Sequence, residues 1–331
     1  MSTTLPATMQ AVEISAPGGP EVLKPTERPL PVPKAHEVLI KVAAAGINGP
    51  DIMQRKGLYP APAGASDLPG LEVSGEIVAK GASVTRWSPG DQVVALTNGG
   101  AYAEYVAVDA EHCLTVPKGI SMLDAAGLPE TFFTVWSNVF IGAGLKAGET
   151  FLVHGGAGGI GTTCIQLGKA FGAKVIATDS PAARCRICTD LGADRVVDYR
   201  SEDFVEVVRT EGGANVILDI VGGANIEKNF KAASPDARII QLAFATGSKV
   251  EINLMPVMLK RLTYTGSTLR TRPDAFKARV ARELEAQVWP HIASGKIRVV
   301  THTALPLAEA AQAHALMESS QHTGKILLRV S

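Results

Sequence analysis

The sequence predicts an α/β fold of two unequal domains, a mostly β domain followed by a doubly wound parallel sheet. Three observations predict it. At 331 residues, 46% of them apolar, the chain is too long for one comfortable hydrophobic core. Eleven of its 20 prolines fall within the first seventy residues, where they interrupt short alternating runs and leave no room for long helices. From about residue 129 the order changes to strand, helix, strand, helix.

The elements follow in order. "HEVLIKVAAAG" and "EVSGEIVAKG" read as short strands joined by Pro and Gly turns, and "SPGDQVVAL" adds a turn at Pro89 to Asp91 feeding another strand. This barrel-like β region runs to about residue 127. "TFLVHG", "IGTTCIQLGKAFG", "KVIATD", "PAARCRICTDLG", "DRVVDY", "SEDFVEVVRT" and "NVILDIVGG" then alternate strand with helix. "VILDI" and "RIIQLAF" are continuously apolar, as strands covered by helices on both faces must be. "RLTYTGSTL" supplies a sixth strand. A helical stretch around "DAFKARVARELEAQVWPHI" precedes "IRVVTHTALPL", a further helix and "GKILLRV", whose short strands can rejoin the first domain.

Charge narrows the function. Lys plus Arg and Asp plus Glu both number 32, so no long-range field draws a polyanion, and neither nucleic acid nor an anionic membrane is an expected partner. A small, weakly charged substrate fits better. No apolar run reaches the roughly 18 residues of a membrane span, and "MSTTLPATMQ" lacks the basic start and apolar core of a secretion signal, so a soluble cytoplasmic protein is expected. Cys113, Cys164, Cys185 and Cys188 are too few for a disulfide framework. Cys185 and Cys188 form a CxxC without a second ligand pair, which points to helix packing and to no metal site.

The stretch "HGGAGGIG" carries the chemistry. Gly156, Gly158 and Gly161 satisfy GxGxxG between an apolar strand and a helix, where the glycines serve tight turning, close approach to a pyrophosphate, and close packing of helix on strand. Residues Gly156, Ala157, Gly158, Gly159, Ile160 and Gly161 thus form a phosphate cradle at a helix N-terminus. Asp179 ends the next strand about twenty residues on, where a carboxylate can accept from both ribose hydroxyls and favour NAD. A 2′-phosphate there meets a like charge, on the order of 4 kcal/mol at ~4 Å and an effective dielectric near 20, unless a cation offsets it. Arg184 is such a cation and Ser180 adds a hydroxyl donor. Asp179 also suits a helix N-cap and Arg184 a solvated helix face, so these residues leave the choice between NADPH and NADH open.

Read in order, "GINGPDIMQRKGLYP", "GLEVSGEI", "PGDQV", "GGAYAEYV", "LPETFFTVW", "HGGAGGIGT", "LGADRVVDY", "LDIVGG" and "GKILLRV" resemble the medium-chain dehydrogenase/reductase superfamily, most closely its zinc-free quinone oxidoreductase branch. The likeness implies a GroES-like catalytic domain over residues 1–127 and 271–331, with a Rossmann dinucleotide-binding domain over 128–270 inserted into it. Where zinc-dependent members carry a metal-binding Cys and His, this chain has Asn48 and Leu71, and no cysteine precedes position 113. Glu72 remains, and it reads as structural. Without a Lewis acid, an acceptor that spreads the incoming electron pair onto a carbonyl oxygen suits the chain, as a quinone or conjugated enone does. Catalysis then rests on stacking nicotinamide and acceptor in a water-poor cleft.

By the same resemblance Asn48 and Tyr59 line the acceptor side, and both are neutral donors suited to a developing enolate or hydroquinone oxygen. Thr131 lies near the nicotinamide, Tyr199 beside the adenine, Gly222 and Phe244 along the cofactor, and Lys325 near the phosphates. Asp51 can cap or orient the Asn48 loop, Arg270 is a further cleft candidate, and His154 reads as a strand-end residue hydrogen-bonded in place. The resemblance implies NADPH, a quinone or enone substrate, and a homodimer paired through "TYTGSTL". An enoyl or 2-alkenal reductase is the enzymatic alternative, and a nucleotide-binding sensor or structural protein the non-enzymatic one.

Overall fold

The computed structural model describes residues 5–330. The chain divides into two compact units: residues up to Phe133 with Arg270–Ala293 and the segment from Arg298 onward, and Thr134–Leu269 with Ser294–Ile297.

The second unit is built on a six-stranded sheet in the spatial order Arg195–Asp198, Lys174–Asp179, Thr150–His154, Ala214–Asp219, Ala233–Gln241, Thr263–Gly266, with every neighbouring pair parallel. The chain enters at Thr150–His154, steps outward twice, then returns to the other side of its first strand. That reversal opens a crevice at the carboxyl ends of Thr150–His154 and Ala214–Asp219, the place where doubly wound sheets hold ligands. Val153, Ile176, Ile217 and Ile239 are wholly buried, as continuous apolar strands under helices require.

The first unit holds a seven-stranded sheet in which Thr301–Pro306 and Lys325–Arg329 continue onto Glu37–Gly46, Glu72–Lys80, Gln92–Leu96 and Cys113–Thr115, while Tyr105–Asp109 also pairs with Glu37–Gly46. The C-terminal strands therefore do rejoin the N-terminal ones. Register fixes the consequence. Leu327 stands opposite Gly46 on one side, and Val73 opposite Ala45 on the other. Lys325 and Glu72 thus begin the two strands that flank the end of Glu37–Gly46, two residues before Asn48.

Phe132, Phe133, Val135, Trp136 and Val139 are all buried. Their helix is not uniform: Pro129–Val135 is α-helical and Trp136–Gly142 continues as a wider π-helical turn. Asp274–Glu283 likewise passes through a π-helical Leu284–Val288 before Trp289–Ala293. Among the described residues no helix is long and apolar enough to cross a membrane.

Candidate active site and cofactor loop

The glycine loop joins Thr150–His154 to the helix Gly159–Ala170. Gly155 takes φ +72°, and the N–H groups of Gly155 and Gly156 both donate to Thr178 O, which ties the turn to the neighbouring strand. A Cβ on Gly156 would meet Cys188 Sγ at 2.7 Å, and one on Gly161 would meet Gly155 O at 2.2 Å. Both positions are therefore glycine because of packing. Gly158 differs, since its nearest neighbour would lie 3.5 Å away. Nothing in the protein needs that face bare, and a bare face lets a phosphate approach the helix start, where the first N–H groups have no intrahelical partner. The loop fits a dinucleotide pyrophosphate.

At the adjoining strand end the structure corrects the expectation for Asp179. Its carboxylate is already saturated. Oδ2 accepts from Ala157 N at 2.7 Å, Oδ1 accepts from Ser180 N at 2.8 Å, and Arg184 adds Nε to Oδ1 at 2.6 Å and a longer contact to Oδ2 at 3.3 Å. A carboxylate offers about four acceptor sites, so Asp179 braces the loop instead of presenting free oxygens to ribose hydroxyls. It does not cap the next helix either, whose N-cap is Pro181. Arg184 neutralises the charge that would repel a 2′-phosphate. Ser180 Oγ is buried without a hydrogen-bond partner among the described residues, the kind of orphan that a polar ligand satisfies.

Tyr199 and Phe244 are large and exposed, at 55% and 46%. Tyr199 follows the strand beside Asp179, and its N–H donates to Asp179 O. Phe244 lies over Gly222, which takes φ +70° and where a Cβ would strike the ring at 2.8 Å. Cys188 is buried, and all four cysteines are free. His154 is held as expected, with Nδ1 2.9 Å from Thr178 Oγ1 and Nε2 2.7 Å from Asn229 Oδ1. Because Asn229 Nδ2 donates to Asp219, its oxygen must accept from His154 Nε2–H, and the Thr178 hydroxyl can donate to Nδ1. Burial also pushes its pKa down.

In the first unit Asn48 is 4% exposed and joins a buried side-chain network. Its Nδ2 donates to Glu72 Oε1 at 2.8 Å, and its Oδ1 accepts from Lys325 Nζ at 2.5 Å. Lys325 Nζ also lies 2.6 Å from Glu72 Oε1 and 3.1 Å from Ile47 O. Glu72 Oε2 accepts from Glu130 N. Lys325 thus has a different place from the one the resemblance implied: its three N–H bonds serve Glu72, Asn48 and Ile47, and none is left for a phosphate.

Beneath this loop sits a second chain of groups that sequence reading identified only at Asp51. Asp51 Oδ2 accepts from Asn48 N at 2.8 Å and Oδ1 from Gly70 N at 3.1 Å. Tyr102 OH lies 3.4 Å from Oδ2 and 2.9 Å from His314 Nε2, while His314 Nδ1 faces Arg55 NH1. Arginine can only donate, so His314 Nδ1 accepts and its Nε2–H points at Tyr102, whose hydroxyl then donates to Asp51. Burial, with Arg55 beside it, pushes His314 down to about 3. Burial pushes Asp51 up to about 7 against the hydrogen bonds that favour its charge. No spacing in the sequence links positions 51, 55, 102 and 314.

Tyr59 is half-buried with the Arg270 guanidinium 5.6 Å from its ring centroid, and burial raises its phenol. Arg270 is itself anchored on Gln54 Oε1 and Asn98 O. Thr131 is 2% exposed, and its hydroxyl lies 3.5 Å from Gly127 O and Leu128 O, the back-bonding of a helical threonine. Among the described residues no group of three or more His, Cys, Asp or Glu side chains is placed to hold a metal ion.

Comparison with known proteins agrees with this architecture. Residues 34–118 match the family described as the alcohol dehydrogenase GroES-like domain, and residues 159–286 the zinc-binding dehydrogenase family. The chain is 31% identical to human quinone oxidoreductase over 329 residues, 97% of each chain. Among solved structures, Escherichia coli quinone oxidoreductase complexed with NADPH superposes with a TM-score of 0.88 at 30% identity, covering 97% of this chain and all of that one. The CurK enoyl reductase gives 0.86 at 26% identity over 98% of this chain. The chain belongs to the medium-chain dehydrogenase/reductase superfamily of oxidoreductases, among its quinone oxidoreductase-like members.

Proposed function

We propose that the protein is a zinc-independent, NADPH-dependent reductase of quinones and related conjugated carbonyls. The observation that carries the reading is the Asn48 amide: held by Lys325 and Glu72, it keeps a second Nδ2 proton with no partner among the described residues. Such a proton is a neutral donor for an oxygen that gains charge as the acceptor is reduced. Tyr59, whose hydroxyl makes no hydrogen bond among the described residues, is the second donor. The bound nicotinamide supplies hydride; the glycine loop, Ser180 and Arg184 hold the dinucleotide, and the neutralisation of Asp179 favours its 2′-phosphate form. Thr131 is the further candidate, placed near the nicotinamide by the resemblance. Asn48 and Leu71 in place of a Cys and a His, together with Glu72 oxygens that accept from protein donors, support the zinc-free reading.

The test is NADPH and NADH oxidation against a panel of benzoquinones and enals, with elemental analysis of the dialysed protein. Quinone turnover with NADPH and without stoichiometric zinc is expected. A clear enal preference favours the enoyl or 2-alkenal reductase reading, which the likeness to CurK enoyl reductase supports. Cofactor binding without turnover of any acceptor would leave a nucleotide-binding protein. We further infer a homodimer. The four residues of Thr263–Gly266 are exposed at the sheet edge, and Leu254, Met255, Met258 and Leu259 near it are each more than half exposed, an apolar patch of the kind that marks an interface. Sedimentation is expected to give twice the chain mass, and a monomer at micromolar concentration overturns this. Four free thiols support a cytoplasmic location.

A further inference from the structure

We propose that Lys325 is a positioning residue of the reaction, its ammonium group setting which end of the Asn48 amide is presented to the acceptor. This rests on the reading of Asn48 as a hydrogen-bond donor.

The carbonyl and amino ends of an asparagine side chain are nearly the same size, so shape alone does not choose between them; their electrostatic partners do. Nζ of Lys325 faces three acceptors, Asn48 Oδ1 at 2.5 Å, Glu72 Oε1 at 2.6 Å and Ile47 O at 3.1 Å. Three acceptors match the three N–H bonds of an ammonium group. Glu72 in turn receives donors only: Lys325 and Asn48 Nδ2 at Oε1, and Glu130 N at Oε2. It is therefore a carboxylate. If the amide were reversed, its amino group would point at the ammonium and its oxygen at the carboxylate, two like contacts shorter than 3 Å. The amide is thus locked with Nδ2 toward Glu72 and one N–H over. A cation on the carbonyl oxygen also draws electron density from the amide nitrogen, strengthening the remaining N–H as a donor.

The surroundings are shaped around the pair. A Cβ at Gly46 would lie 2.0 Å from Glu72 Oε1, and one at Gly127 would lie 3.1 Å from Lys325 Cγ. Side chains there would displace the carboxylate and crowd the lysine stem. Lys325 is 6% exposed and Glu72 fully buried, so neither charge is loosened by solvent.

Lys325→Met alone would leave Glu72 as a buried charge without its partner, so the test pairs it with Glu72→Gln. Melting temperature, NADPH affinity and kcat with benzoquinone are measured. The double variant is expected to melt near wild type and to bind NADPH within about twofold. Its kcat is expected to fall on the order of 10- to 100-fold, the range typical of groups that orient a functional ligand. Acting through Asn48, the same double change is expected to lower kcat by less than about twofold in an Asn48→Ala background. Weakened NADPH binding with kcat intact would return Lys325 to the phosphates, an unchanged kcat would make the pair purely structural, and a full loss repeated without Asn48 would place its action elsewhere. Each overturns the proposal. An Asn48→Ala variant as fast as wild type would sink the donor reading itself. Should the double variant not fold, exchange of the Asn48 side-chain protons in ¹⁵N-asparagine-labelled wild-type protein decides. One slow and one fast proton is expected, and two equally fast ones overturn the inference.

Discussion

The glycine loop and the Asn48 network hold their functional groups in opposite ways. The loop works through backbone N–H groups, braced by one carboxylate that four donors saturate, and its side chains matter mainly by being absent. The Asn48 network works through side chains, with a carboxylate and an ammonium removed from water and each polar atom facing a complement. A backbone cradle tolerates change wherever a Cβ finds space and fails abruptly where it does not. A buried charged network responds to every exchange, because an unpaired charge in a low-dielectric site is expensive.

The largest expected effect breaks the loop. Gly161→Ala places a methyl group 2.2 Å from Gly155 O, a backbone atom that cannot turn aside, and is expected to cost more than about 5 kcal/mol and abolish NADPH binding. Calorimetry with and without NADPH checks it; a variant that melts like wild type means the loop is softer than its packing implies.

Next comes the pH dependence of the network. An unfolded Asp51 releases its proton near 3.8 and the folded one near 7, so the folded state holds the extra proton between those values. Stability contributed by this group therefore falls as pH rises from about 4 to 7 and is level above that, by up to about 4 kcal/mol. Asp51→Asn is expected to remove that slope. Urea denaturation at pH 4.5 and 7.5 reads the difference, and parallel curves for variant and wild type count against a protonated, desolvated Asp51.

Asn48→Ala sharpens the contrast on the catalytic side, with kcat lowered about 100-fold and the dissociation constant of NADPH unchanged in a fluorescence titration. A loss of binding in place of turnover would move Asn48 from the acceptor to the cofactor. The smallest effect belongs to Gly158→Ala, which meets nothing closer than 3.5 Å. Its melting temperature should match wild type while NADPH binding weakens about tenfold, because a methyl group then stands where a phosphate approaches the helix start. Equal loss of stability and binding would make Gly158 a packing glycine like its neighbours.

How much of each region is legible in the chain follows from how each is made. The loop lies within one stretch from His154 to Arg184, so strand, turn, helix and the acidic strand end can all be read together, and the six parallel strands appear where their apolar runs predict. Even there the reading stops at the side chain. Asp179 stands where an acid belongs, yet only the packed structure shows its oxygens turned to Ala157, Ser180 and Arg184. The resemblance places Lys325 near the phosphates, whereas the register of its strand beside Gly46 gives it Glu72 and Asn48 as partners.

The sequence by itself determined the two-domain α/β plan, the GxGxxG motif between strand and helix, and the want of a Cys and His at positions 48 and 71, because each depends on local pattern or on short-range turn chemistry. Tertiary structure alone decided which charges neutralise which, the direction of the Asn48 amide, the tautomer of His314 and the raised pKa of Asp51. Those depend on groups tens to hundreds of residues apart being desolvated together, and burial of that kind is a property of the assembled core and not of any segment within it.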